Sequence, residues 1–113
     1  MLSGGHATLC VRDMERAVRF YVETLGMKLV DHGPSRSVLD AGDGLHIALE
    51  RSTDAPSSGR GTTSIDLMVR NSFDHAVAIY ENRGVVFEPA VAPEGVRLVR
   101  FTDPDGNRLG LKG

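Results

Sequence analysis

From Ala7 to Arg12 the chain alternates apolar Ala7, Leu9 and Val11 with His6, Thr8, Cys10 and Arg12. That period predicts a strand with one packed face and one chemically richer face. The period then changes. Ala17, Val18, Tyr21, Val22 and Leu25 recur at helical spacing, Asp13 stands where an N-cap is needed, and Gly26 supplies a left-handed stop. Short alternating segments follow over Lys28–Asp31, Ser37–Ala41 and Leu45–Arg51, broken at Gly33-Pro34 and Gly42-Asp43-Gly44, and these predict three strands.

The same order of periods starts again at Ser64. Ser64–Arg70 alternates like the first strand, and Asn71 is placed to cap a helix carrying Phe73, Ala76, Val77 and Tyr80, with Asp74 at N3 and Gly84 as its stop. Strands are predicted over Val85–Phe87, Gly95–Phe101 and Arg108–Lys112, the last two joined by a tight turn at Asp103-Pro104-Asp105-Gly106-Asn107. Val11-Arg12-Asp13 and Gly26 recur as Val69-Arg70-Asn71 and Gly84 at an offset of 58, while Asp43-Gly44 through Leu49 recurs as Asp105-Gly106 through Leu111 at an offset of 62. The chain therefore reads as two βαβββ modules, about 5–51 and 62–113, with a Ser-, Gly- and Pro-rich linker at about 52–61. A unit of roughly 50 residues is too small to bury a core alone, so the two are expected to pack as one α+β domain around a shared surface. Such a surface is a natural place for a ligand.

Composition narrows the class. With 113 residues, 41% of them hydrophobic and 25% charged, the chain has the proportions of a globular domain. A net charge of −2 without a basic stripe argues against nucleic acid as a partner. Neither a long apolar run nor a basic-plus-apolar leader is visible, so no membrane span or signal peptide is expected and the cytoplasm is the expected location. Cys10 is the only cysteine, which excludes an intramolecular disulfide and a cysteine-rich zinc site.

The opening His6-Ala7-Thr8-Leu9-Cys10-Val11-Arg12-Asp13-Met14-Glu15-Arg16-Ala17, then Phe20-Tyr21 and Leu25-Gly26, and the closing Phe101-Thr102-Asp103-Pro104-Asp105-Gly106-Asn107 resemble the vicinal oxygen chelate superfamily. Glyoxalase I, extradiol dioxygenases, fosfomycin-resistance enzymes and bleomycin-resistance proteins belong to it. The resemblance covers essentially the whole chain. It implies a single domain whose modules form a curved mixed sheet or half-barrel around a concave cleft, often completed in a homodimer. In metal-dependent members, ligands stand at the first residue of each module's first strand and at a glutamate in each module's last strand. Those positions here hold His6, Ser64, Ala48 and Gly110. Only His6 suits a metal, and a stable divalent site needs at least three protein donors, so no cofactor is expected and a divalent metal is the alternative. A rebuilt site would need His6, His46, Glu50 and Asp66, yet one two-residue step along a strand moves a side chain by about 6–7 Å, against metal–ligand bonds of about 2 Å.

Strand parity assigns the cleft wall to His6, Thr8 and Cys10, to His46 and Ala48, to Ser64, Asp66 and Met68, and to Arg108 and Gly110. This mixed surface suits an organic ligand with polar or charged substituents. Arg108 is placed to hold a carboxylate or phosphate and Asp66 to orient it or face a ligand cation, unless the two charges satisfy each other. His6 can act as base or donor, but no second catalytic partner is identifiable. Cys10 lies about 13 Å along the strand from His6, too far for activation, and reads as a packed thiol. Ser57-Ser58-Gly59-Arg60-Gly61 lacks the ending of a phosphate loop. Two classes result: a metal-free protein that binds or sequesters a small organic molecule, as the bleomycin-resistance branch does, or a divalent-metal glyoxalase-like lyase, isomerase or dioxygenase. The missing ligands favour the first, and the absence of tryptophan argues against a cleft devoted to stacking flat aromatic drugs.

Overall fold

A computed structural model describes residues 1–53 and 63–113, so the predicted linker at about 52–61 and the Ser57–Gly61 stretch lie almost wholly outside the described residues. The first module runs β1 (Gly5–Val11), α1 (Met14–Arg19), β2 (Lys28–His32), β3 (Arg36–Gly42) and β4 (Leu45–Arg51). The second runs β5 (Ile65–Met68), α2 (Phe73–Asn82), β6 (Glu88–Pro89), β7 (Leu98–Thr102) and β8 (Arg108–Lys112). Asp13 caps α1 by accepting from the Arg16 N–H at 3.2 Å. Past Arg19 the helix widens into a π turn over Phe20–Thr24, in which the Leu25 N–H donates to the Phe20 carbonyl.

Each module makes one open, four-stranded mixed sheet, ordered β1-β4-β3-β2 and β5-β8-β7-β6. The first strand of each pairs in parallel with the last, and the other pairings are antiparallel. Register puts Ala7 beside Ile47 and Leu9 beside Leu49, so the odd positions of β1 and β4 share a face. On that side Ile47, Leu49 and Val11 join Ala17 and Tyr21 of the helix and Phe101, Leu109 and Leu111 of the second module in one buried cluster.

Several boundaries differ from expectation, among them β5, which spans Ile65–Met68 rather than the expected Ser64–Arg70. Ser72 caps α2, its hydroxyl accepting from the His75 N–H at 3.2 Å, so Asn71 lies one residue outside. The strand expected at Val85–Phe87 is instead the two-residue pairing Glu88–Pro89, because Val85 is buried after the helix stop and the Phe87 ring packs edge-on against Phe101 at 5.4 Å. The seventh strand begins at Leu98 rather than Gly95, since Val96 closes a turn onto Pro93 before pairing resumes. Among the described residues, no helix is long and apolar enough to cross a membrane.

Two seams join the modules. At the first, the Tyr21 hydroxyl donates to Asp103 at 2.8 Å, the Arg12 N–H to Asp105 at 2.9 Å and the Asn107 amide to the Cys10 carbonyl at 3.0 Å. At the second, the Tyr80 hydroxyl donates to the Leu25 carbonyl at 2.8 Å, Arg83 to the Thr24 carbonyl at 2.9 Å, and Arg70 pairs with Asp43 at 3.1 Å.

Candidate functional site

The face of each sheet that carries the even positions holds the residues of interest. On the first sheet, the parallel register sets His6 beside His46, Thr8 beside Ala48 and Cys10 beside Glu50. The two imidazole rings lie 5.5 Å apart, tilted by 49°. Ala48 is fully buried and brings only a methyl group to the place where metal-dependent relatives carry a glutamate. Glu50 pairs with Arg36 of β3 at 2.8 Å, both side chains about half exposed.

On the second sheet, Asp66 of β5 and Arg100 of β7 both stand in register with Gly110 of β8, which runs between them. Neighbouring strands are about 4.8 Å apart, so the two side chains have to meet above the central strand. They do: the Arg100 guanidinium donates from the same nitrogen to Asp66 at 2.8 Å and to Ser64 at 2.5 Å. A Cβ on Gly110 would lie 2.5 Å from the Asp66 carboxylate and 3.2 Å from the Val99 carbonyl. Position 110 is therefore a glycine for a steric reason, and the space that a metal-ligating side chain would use is crossed by an ion pair. Arg100 is the residue that sequence reasoning missed. The wall was drawn from the first and last strands of each module, whereas the turn at Asp103–Asn107 already sets β7 against β8 with Arg100 opposite Gly110.

The eight candidate residues thus fall into two groups, His6, Thr8, Cys10 and His46 on one sheet and Ser64, Asp66, Met68 and Arg108 on or beside the other. Met68 is 72% exposed at the end of β5, and Arg108 opens β8 opposite Thr102. The rebuilt cluster of His6, His46, Glu50 and Asp66 is not assembled, because Arg36 holds Glu50 and Arg100 holds Asp66. Among the described residues, no group of three or more His, Cys, Asp or Glu side chains is positioned to hold a metal ion.

A profile of the Glyoxalase/Bleomycin resistance protein/Dioxygenase superfamily matches residues 4–111. The chain belongs to that superfamily. Among solved structures, a superfamily member from Sphaerobacter thermophilus is 31% identical, covers 99% of this chain and 97% of its own, and superposes with a TM-score of 0.77. TnmS3, an antibiotic binding protein from Streptomyces sp. CB03234, is 30% identical over 98% of this chain and 94% of its own, with a TM-score of 0.76. A glyoxalase-family protein from Bacillus anthracis shares the fold at 18% identity, with a TM-score of 0.84 and coverage of 99% and 94%. The superfamily fold is thus common ground, and any activity has to be argued from the site.

Proposed function

We propose that this protein binds a small organic molecule on the even-position faces of its two sheets without a divalent metal, a second copy of the chain completing the wall. The observation that carries the reading is Gly110 with the Asp66–Arg100 pair laid across it. A metal-dependent relative needs a carboxylate at that place, free to coordinate. Here the nearest carboxylate accepts from a guanidinium, and its counterpart position in the first module is Ala48. What remains is a surface of imidazoles, hydroxyls and a partly buried arginine around small residues, which suits an organic ligand with polar substituents. Similarity to an antibiotic binding protein supports sequestration over turnover. The exposed His6, Thr8 and Met68, on sheets that do not close, support completion by a second copy.

The metal half of the reading is tested by melting chelator-treated protein with nickel, zinc, manganese, iron(II) and cobalt in turn. A ligand that binds only the folded state stabilises it by about 2.7 kcal/mol at a hundredfold excess over its Kd. No metal is expected to raise Tm, and a rise that His6→Ala abolishes overturns the metal-free reading. The binding half is tested with antibiotics of several chemical classes. Compounds that stabilise the wild type and lose that effect with Arg100→Gln or His46→Ala support it. Stabilisation that survives both substitutions puts the ligand elsewhere, and a monomer by sedimentation velocity in the liganded state removes the second copy.

A further inference from the structure

The 62-residue offset pairs Ala41 with Asp103. In the first seam Asp103 is buried, takes the Tyr21 hydroxyl and binds the side chain and N–H of Asn107, while the Phe20, Phe87 and Phe101 rings pack nearby. In the second seam Ala41 offers only a methyl group. A pocket of about 200 Å³ stands there, walled by Leu25, Met27 and Ala41 of one module and by Leu67, Ala76 and Leu111 of the other. Protein interiors leave few voids larger than a water molecule, and an apolar cavity of about 150 Å³ already accepts benzene. A pocket of about 390 Å³ opens at the first seam too, but Arg12, Asp13, Arg16, Asp103 and Asp105 line it, so the duplicated contacts differ in lining, charged at the first and almost wholly apolar at the second.

Charge selects what fits. Among the described residues, Arg70 is the only charged one lining the pocket. Its guanidinium faces Asp43 at 3.1 and 3.2 Å, with the two side chains 76% and 87% exposed, so water screens that pair and a competing anion can replace Asp43 without stranding a buried charge. The Tyr80 hydroxyl is already committed to the Leu25 carbonyl, which leaves the guanidinium as the recognising group. A carboxylate matches its paired N–H geometry.

We infer that the second seam is a ligand site separate from the even-position faces, and that it takes a small carboxylic acid whose apolar body is about the size of one substituted ring. The acid lies with its ring between Ala41 and Ala76 and its carboxylate on Arg70, displacing Asp43.

The test titrates 4-isopropylbenzoate, and separately its neutral amide, into the ¹⁵N-labelled full-length protein. Saturable shifts are expected at the amides of Ala41, Leu67, Val69 and Ala76, with the amide compound about tenfold weaker than the acid. Arg70→Gln is expected to bring the acid down to the affinity of its amide. Ala76→Leu and Ala41→Leu each fill the pocket and are expected to abolish binding, either one sufficing where the other fails to fold. Absence of saturable shifts in wild-type protein with an intact melting transition overturns the inference. So do equal affinities of acid and amide, binding that survives a folded filling variant, or shifts confined to β1 and β8.

Discussion

At the end of β1, the Arg12 backbone N–H donates to Asp105, and one residue past β7 Asp103 is buried under Tyr21. At the matching end of β5, Arg70 reaches Asp43 only with the tip of an exposed side chain, and the Asp103 position is Ala41. Both contacts descend from one pattern, yet the first is built from main chain and buried acceptors and the second from solvated ends and apolar walls. A buried acceptor that satisfies several donors is costly to remove, whereas an exposed ion pair contributes little. The first copy of the contact thus carries the stronger polar attachment, and the pocket at the second keeps an almost wholly apolar lining.

The largest effect expected from this contrast is that of Asp103→Ala. It leaves the Tyr21 hydroxyl and the N–H groups of Asp105 and Asn107 without their acceptor. Each orphaned donor costs about 1–3 kcal/mol, so the total loss is expected to be about 3 kcal/mol or more. Asp43→Asn, at the matching place, keeps a side chain that tolerates the φ of 50° there and is expected to cost less than about 0.5 kcal/mol. Urea unfolding of the two variants measures both. Equal losses would break the comparison.

The next effect concerns the two central strands. Gly110→Ala forces a methyl group into the Asp66 carboxylate and against the Val99 carbonyl, and is expected to cost about 2 kcal/mol. Pairing it with Asp66→Ala removes the nearer of the two clashes, so the double variant is expected to unfold at a higher urea concentration than the sum of its parts predicts. If Gly110→Ala unfolds with the wild type, the ion pair moves aside easily and position 110 is open to a larger residue after all.

Most of the fold was legible because it rests on period and punctuation. The stops at Gly26 and Gly84 have φ of 81° and 93°, a conformation that glycine adopts without strain. The repeated landmarks then gave both modules and their order. Less legible was whatever depends on contacts across strands. Asn71 and Ser72 are both good caps, and only the backbone geometry chooses Ser72. Val85 and Phe87 carry strand propensity but are spent on packing, which pattern alone does not reveal. Of the candidate site, parity grouped the even positions of the first and last strands, while the partner of Asp66 had to be read from the β7–β8 register, because a charge pair spanning an intervening strand leaves no local spacing in the sequence.

The smallest contrast lies between the two tyrosines that close the seams. Tyr21 is fully buried and donates to a carboxylate, and burial together with the Asp103 charge lifts its pKa far above the usual value. Burial lifts that of Tyr80 as well, against the pull of Arg83, while its hydroxyl donates to a neutral carbonyl. Hydrogen bonds to charged groups contribute about 1.5–3 kcal/mol and neutral ones about 1, so Tyr21→Phe is expected to cost roughly 2 kcal/mol at neutral pH and Tyr80→Phe about 1. The pH dependence carries the same contrast. A hydroxyl whose pKa is raised on folding holds its proton more tightly in the folded state. Its contribution is therefore complete below about pH 10 and is lost as the pH climbs from there toward the folded-state pKa. Stability of the wild type is expected to fall above pH 10, and Tyr21→Phe is expected to flatten that fall more than Tyr80→Phe does. If the two substitutions flatten it equally, the Tyr21 hydroxyl is no more sealed from water than that of Tyr80, and the asymmetry between the two seams loses its energetic basis.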